Sequence, residues 1–344
     1  MSSKKRSWTG WIVAAVLLGA VVYAVMRNPQ WREFDWAAFA DSFRRVHLGW
    51  LFAATACMLS TFAIRVARWK RLMRPITRDV SFKDLLTATV IGFGALALLG
   101  RAGEFVRPYL IARQANVPIT GQISIWLIER FLDMLMILGL AGTAISYMDW
   151  GADSELAEWA RGAGYGIVGV ACLACVVLFV LPQFFDQFKA LAMKIAAPLP
   201  MRFQDKLADL LTRLGEGFQG LRDFPSVAYA FGSSALMWFV LWLAFDFLLR
   251  ACLPGRSFDP QQVLVFMGFL MVGSVLQVPG IGGGVQVATV ATLTRVFGVA
   301  EEPASVAAIV IWLATFMVAV PPALFLLARQ GLSLRSLGQL NSED

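Results

Sequence analysis

The sequence predicts an all-α polytopic membrane helix bundle: about six full spans plus two oppositely oriented re-entrant hairpins, arranged as an inverted repeat. Three observations carry that reading. Of 344 residues, 58% are hydrophobic and 15% charged, whereas soluble domains run near 45–50% apolar and about 25% charged. Six stretches, 8–26, 48–66, 119–147, 162–181, 227–249 and 304–327, approach the roughly 20 apolar residues that a crossing needs. Two more apolar stretches are interrupted at matching places in the two halves. Leu85 to Leu110 is broken by Gly100-Arg101-Ala102-Gly103-Glu104, and Val263 to Phe297 by Pro279-Gly280-Ile281-Gly282-Gly283-Gly284. Paired interruptions of this kind point to a transporter binding site near the bilayer midplane.

The first span follows Lys4, Lys5 and Arg6. That is the arrangement of a signal peptide, but no A-x-A cleavage site follows, so a retained helix with a cytoplasmic N-terminus is expected. Arg65, Arg68, Lys70, Arg71, Arg74, Arg78 and Lys83 read as a basic loop after the second span, while Asp149, Asp153, Glu155 and Glu158 form an acidic one. The basic loop is expected inside and the acidic one outside. With these fixed, the first broken stretch enters and leaves on the cytoplasmic side (hairpin 81–114) and the second on the outer side (hairpin 261–299). The repeats then cover 1–148 and 161–330, separated by the outer loop 149–160 and followed by a cytoplasmic tail, 331–344. Both termini are cytoplasmic in this arrangement. The linkers Trp31 to Val46 and Phe184 to Arg222 are amphipathic, the latter with Phe203, Leu207, Leu210, Leu211 and Leu214 at helical spacing, and are expected on the membrane surface.

The charges inside apolar segments are the candidate site. Glu129 is the eleventh residue of a helix starting near Ile119, about 15 Å along it at a rise of about 1.5 Å per residue. Glu129 and Asp133 share a face, and Arg130 is rotated from them by about 100°. A charge at that depth persists when it faces the bundle interior and finds a partner. Arg101, Glu104 and Arg107 of the first hairpin are expected to supply an arginine–carboxylate network. Arginine presents a planar fork of donors matched to phosphate oxygens. Half-helices beginning after Gly103 and Gly284 would add free N–H groups and the positive end of a dipole. A phosphate head group could then displace the carboxylates from the arginines. The alternative is a packing lock between spans. Asp246 and Arg250 read as a local ion pair.

Other classes find less support. Cys57, Cys172, Cys175 and Cys252 lie in or beside apolar runs and read as packing residues rather than a disulfide framework. The single His47 builds no metal site, and no cofactor is expected. The net charge of +7 is placed beside membrane segments and reports topology rather than nucleic acid. Gly280-x-Gly282-Gly283-Gly284 lacks the spacing and the strand of a dinucleotide loop.

Gly103-Glu104-Phe105-Val106-Arg107, then Glu129-Arg130-x-x-Asp133, then Pro279-Gly280 in a glycine-rich stretch resemble the lysylphosphatidylglycerol synthase transmembrane family, over roughly Trp36 to Ala328. The resemblance implies a bacterial or archaeal cytoplasmic membrane and translocation of an anionic or aminoacylated phospholipid or a lipid-linked sugar. The implied site is Arg101, Gly103, Glu104, Arg107, Glu129, Arg130, Asp133, Gly280, Gly282, Gly283, Gly284 and Gln286. Leu99 stands where the family usually has proline. Gln286 stands where it commonly has an acidic residue, keeping the hydrogen bonding and losing the charge. Members that make the aminoacyl lipid carry a large soluble C-terminal domain; only Arg329 to Asp344 follow the last span here, so aminoacyl transfer by this chain alone is not expected. Two other readings stand beside translocation: a noncatalytic membrane partner of a synthase or glycosyltransferase, and a membrane-embedded transferase using Glu104, Glu129 and Asp133 as acid and base groups.

Overall fold

The computed structural model of the protein describes residues 34–77, 79–147, 154–180, 183–198, 200–218, 223–274, 277–278 and 282–329. The expected span at 8–26, Gly280 and the tail at 331–344 lie outside them. The described chain is helical apart from one short antiparallel pair. In order come α1 (Trp36–Arg44), α2 (Leu48–Leu72), α3 (Phe82–Leu99), a 3-10 turn (Gly100–Phe105), α4 (Val106–Ala115), α5 (Ile119–Tyr147), α6 (Ser154–Val180), α7 (Phe185–Ala196) and α8 (Met201–Phe218). Then follow α9 (Phe224–Cys252), α10 (Pro260–Gly273), β1 (Gln277–Val278), β2 (Gly282–Gly283), α11 (Gly284–Ala291), α12 (Glu301–Thr315) and α13 (Val320–Arg329).

Local chemistry sets the boundaries. The Asp35 carboxylate accepts the Ala37 and Ala38 amides at 2.9 and 3.0 Å and starts α1. His47, which had no expected role, caps α2 by accepting the Trp50 amide at 3.4 Å. Asp223 caps α9 ahead of Pro225. Its carboxyl lies below the usual aspartate range because the Ser226 hydroxyl and amide stabilise the ionised form. Asn116 ends α4 in the left-handed conformation. Pro321 and Pro322 lack the amides that would continue α12 into α13, and a 3-10 turn at Met317–Ala319 separates the two.

Among the described residues, five segments are long and apolar enough to cross a membrane: Leu48–Leu72, Phe82–Ala115, Ala157–Val177, Phe224–Cys252 and Glu301–Arg329. The second of these is folded back on itself. Gly92 of α3 lies against Cβ of Arg107 on α4, and Gly103 against the backbone of Ala95 and Leu96, so α4 returns antiparallel along α3. The glycine run of the second half makes a corresponding reversal: Gly273 of α10 packs on Gly284 and Ala288 of α11, and between them Gln277 pairs with Gly283 and Val278 with Gly282. Gly100 and Gly283 occupy positive φ, 65° and 97°, a backbone state that only glycine adopts cheaply. The two reversals touch: β1 contacts the Gly100–Phe105 turn, and Arg101 Nη2 donates to the Ser274 carbonyl at 3.0 Å.

Several boundaries differ from the sequence reading, two of them at charged segments. Helix α2 runs on to Leu72 instead of stopping at Val66, so Arg65 and Arg68 belong to a helix and not to a basic loop. Hydropathy ends a span at its first charges, but here those charges are paired inside. Helix α6 begins at Ser154, which makes Glu155 and Glu158 helical rather than part of an acidic loop.

Helices α2 and α9 form the central antiparallel pair. The His47 amide donates to the Ala251 carbonyl at 2.9 Å, Trp50 packs on Phe247 at 5.2 Å between centroids, and Arg68 meets Ser234 further along. One apolar core, including Met237, Phe245, Phe266 and Ile311, joins this pair to α10 and α12. A second, including Trp69, Ile91, Leu110 and Leu132, joins it to α3, α4 and α5.

Gly103→Ala is expected to lower stability by about 1–3 kcal/mol, since the added methyl meets the Ala95 carbonyl and its helix must shift. Gly169→Ala, where the added carbon meets nothing within 4 Å, should be neutral or stabilise by up to about 1 kcal/mol. Thermal unfolding in detergent micelles checks the contrast; equal melting shifts would refute the close approach at Gly103.

Candidate functional site

The site grows from α2 and α5, which run antiparallel and are bridged by long side chains. Arg65 lies opposite Glu129 and Asp133, Trp69 opposite Gln122, and Ile76 against Gly121. The buried stripe of α2 is Ala54, Met58, Thr61, Phe62, Arg65, Val66, Arg68, Trp69 and Leu72. Two arginines therefore sit where a helical period places core residues.

Glu129, 1% exposed, is the hub. Its Oε1 accepts Arg65 Nη1 and Arg68 Nη2, both at 2.9 Å, and its Oε2 accepts Arg107 Nη1 at 2.9 Å. Asp133, one turn on, accepts Arg65 and Arg68 at 3.2 Å. Arg68 also donates to the Ser234 hydroxyl at 2.5 Å, which ties α9 to the group. Arg107 lies over the Trp69 ring at 4.1 Å and Arg65 over Phe93 at 5.2 Å, so aromatic faces take the sides that carboxylates leave. Three arginines against two carboxylates leave one unit of positive charge in this buried cluster.

The structure brings Arg107, Glu129 and Asp133 together as the sequence suggests and adds Arg65 and Arg68, which hydropathy had put outside. Their helical spacing from Met58 and Phe62 was the signal available. Arg130 stands at the margin, 38% exposed and 3.9 Å from Asp133. Glu104 is not in the network: it belongs to the 3-10 turn, and its carboxylate takes Arg101 at 2.7 Å. The reason is local, because the turn places residues three apart on one side.

Gly103 and Gly273 make close backbone contacts. The space over Gly103 is filled by Ala95, and a carbon added at Gly273 would meet the Gly284 carbonyl. Gly282 and Gly283 are paired to β1. At the starts of the returning half-helices the Val106 amide bonds Gly103, and the Gly283 amide donates to Gln286 Oε1 at 2.7 Å. Asp246 and Arg250 form the expected local pair at 2.7 Å.

Removing one member of a buried ion group leaves its partners uncompensated. Glu129→Gln, which leaves three arginines against one carboxylate, should therefore cost about 3–5 kcal/mol, and half-exposed Arg101→Gln less than about 1 kcal/mol. Chemical unfolding in micelles measures both, and a small loss for Glu129→Gln would show that the cluster is loosely held.

A family model described as the lysylphosphatidylglycerol synthase TM region matches residues 11–323. Among curated proteins, glycosyltransferase AglD of Haloferax volcanii is 28% identical over 122 residues, 35% of this chain and 20% of that protein. The chain thus aligns with about a fifth of that relative's length. No solved structure matches. With nearly its whole length matched, and with the Gly103 to Arg107 and Glu129 to Asp133 motifs packed on one another, this multi-pass membrane protein belongs to the lysylphosphatidylglycerol synthase transmembrane family.

Proposed function

We propose that the protein is a lipid translocase, a flippase or scramblase, for a phospholipid with an anionic or aminoacylated head group. One observation carries the reading: a buried ionic cluster with surplus positive charge lies beside a chain reversal that contacts a second, separate reversal. A structural ion lock would be expected to balance its charges, because an uncompensated buried charge is costly. A site that takes an anion retains the surplus until the anion arrives.

The membrane geometry proposed with it is six crossings, with 8–26 as the first, and two re-entrant hairpins entering from opposite faces. Arg65 is seven residues before the end of α2 at Leu72 and Glu129 ten after the start of α5 at Ile119, so both lie about 10–15 Å from the same helix ends. That depth is near the middle of a hydrocarbon layer about 30 Å thick. Lys70, Arg71, Arg74 and Lys83 mark those ends as cytoplasmic. Helices α7 and α8, with Phe188, Leu191, Ile195 and Phe203 exposed, lie along the membrane surface in this arrangement. The partial relative's description as a glycosyltransferase favours a lipid-linked sugar as the second cargo class, or a glycosyltransferase as a separate partner.

In liposomes, the reconstituted protein should accelerate leaflet exchange of fluorescent phosphatidylglycerol, read by dithionite quenching. Arg107→Ala and Glu129→Ala should return the rate to that of empty liposomes. Exchange of a labelled polyprenyl-phosphate sugar but not of phosphatidylglycerol would assign the second cargo. Equal rates for wild type, variants and empty liposomes would refute translocation.

A further inference from the structure

We propose that the outer edge of Arg107, its Nε and Nη2, is the seat of a phosphodiester group, completed by the amide of Gln122 and the hydroxyl of Thr89. The proposal rests on the anionic-lipid reading above and names the part of the cluster that holds the head group.

Arg107 is 5% exposed. Its Nη1 is committed to Glu129 at 2.9 and 3.2 Å, whereas Nε and Nη2 are buried with no hydrogen-bond partner. Those two atoms form one planar edge of the guanidinium, the fork that takes two oxygens of a single oxyanion. Two more orphans lie on helices packed against the one that carries it. Gln122 is fully buried; its Oε1 accepts the Trp69 indole at 2.9 Å, and its Nε2 has no partner. Thr89 is also fully buried with an unpartnered hydroxyl. It lies one turn before Gly92, whose position abuts Arg107 Cβ. The Trp69 ring links the set, with Arg107 over its face and Gln122 on its edge.

Buried donors without acceptors are uncommon in native proteins and call for an explanation; charged ones are the most costly to leave so. Here the orphans are mainly N–H donors, so the missing group is an acceptor. The cluster carries one surplus positive charge, and a phosphodiester carries one negative charge on two free oxygens. Fork, charge and donor count thus fit the same group. The head group need not displace Glu129, in contrast to the displacement expected from sequence, because Glu129 uses the other end of the guanidinium. Just past the end of α2, Met73 borders a cavity of about 410 Å³ with Lys70 and Arg74 on its wall, a cationic pocket one turn from Trp69.

The test is binding of dihexanoyl phosphatidylglycerol to the full chain in detergent, followed by tryptophan fluorescence, with melting temperature recorded in parallel. Arg107→Lys keeps the charge and loses the fork; Gln122→Glu keeps the acceptor for Trp69 and sets a carboxylate against the seat. Each should weaken binding by about tenfold or more, while Gly169→Ala leaves it unchanged. Competition by inorganic phosphate supports phosphoryl recognition, and tighter binding of the lipid than of free phosphate assigns the lipid as the source. Equal affinity in wild type, Arg107→Lys and Gln122→Glu, or equal binding of a neutral dihexanoyl glycerol, overturns the seat. Variant-sensitive binding in a protein that exchanges no lipid would uphold the seat and remove the translocase reading.

Discussion

A carboxylate buried among apolar helices must be met by cations, and Glu129 sets that condition for this molecule. Three arginines from two separate elements reach it, and each constrains the chain that delivers it. Helix α2 has to continue past its apolar stretch to bring in Arg65 and Arg68. The chain after α3 has to reverse, because α4 must lie back along α3 to place Arg107. Helix α9 is held at the same point through Ser234. The ionic group thus joins four helices that the apolar contacts alone would leave free to slide, a registry role attested for buried polar groups.

The reversals are backbone devices. Each uses a glycine at positive φ, Gly100 in one and Gly283 in the other, and each closes with a contact too tight for a side chain, Gly103 on Ala95 and Gly273 on Gly284. The small residues therefore set how far each limb returns. Arg101, joined to Glu104 on its own limb and to Ser274 on the other, makes a polar contact between them. Gln286 satisfies the Gly283 amide with a neutral oxygen where the resemblance had an acidic residue, which leaves the positive end of α11 uncancelled.

Much of this was legible in the sequence, and the reasons differ by element. The interrupted stretches stood out because glycine clusters between apolar runs have a direct backbone cause. Glu129 and Asp133 stood out because their four-residue spacing places them on one face. Arg65 and Arg68 were hidden because hydropathy treats a charge as the end of a span, although Met58, Phe62, Arg65 and Trp69 keep the helical period unbroken. Glu104 was misassigned because a 3-10 turn and an α-helix point the same residue differently, and residue types do not distinguish them there. The neighbours of Arg107 at Gly92, Trp69 and Glu129 come from three elements and carry no mark in one dimension.

The central claim is that Arg107 and Glu129 meet inside the bundle at the depth of the hydrocarbon centre. A high-resolution cryo-EM map of the protein in a phosphatidylglycerol nanodisc tests it directly. The account predicts density joining Arg107 to Glu129 near the disc midplane, screened from acyl chains, with a phosphate-sized feature on the opposite edge of the guanidinium. Arg107 and Glu129 facing lipid tails, or lying apart at the head-group level, would contradict it.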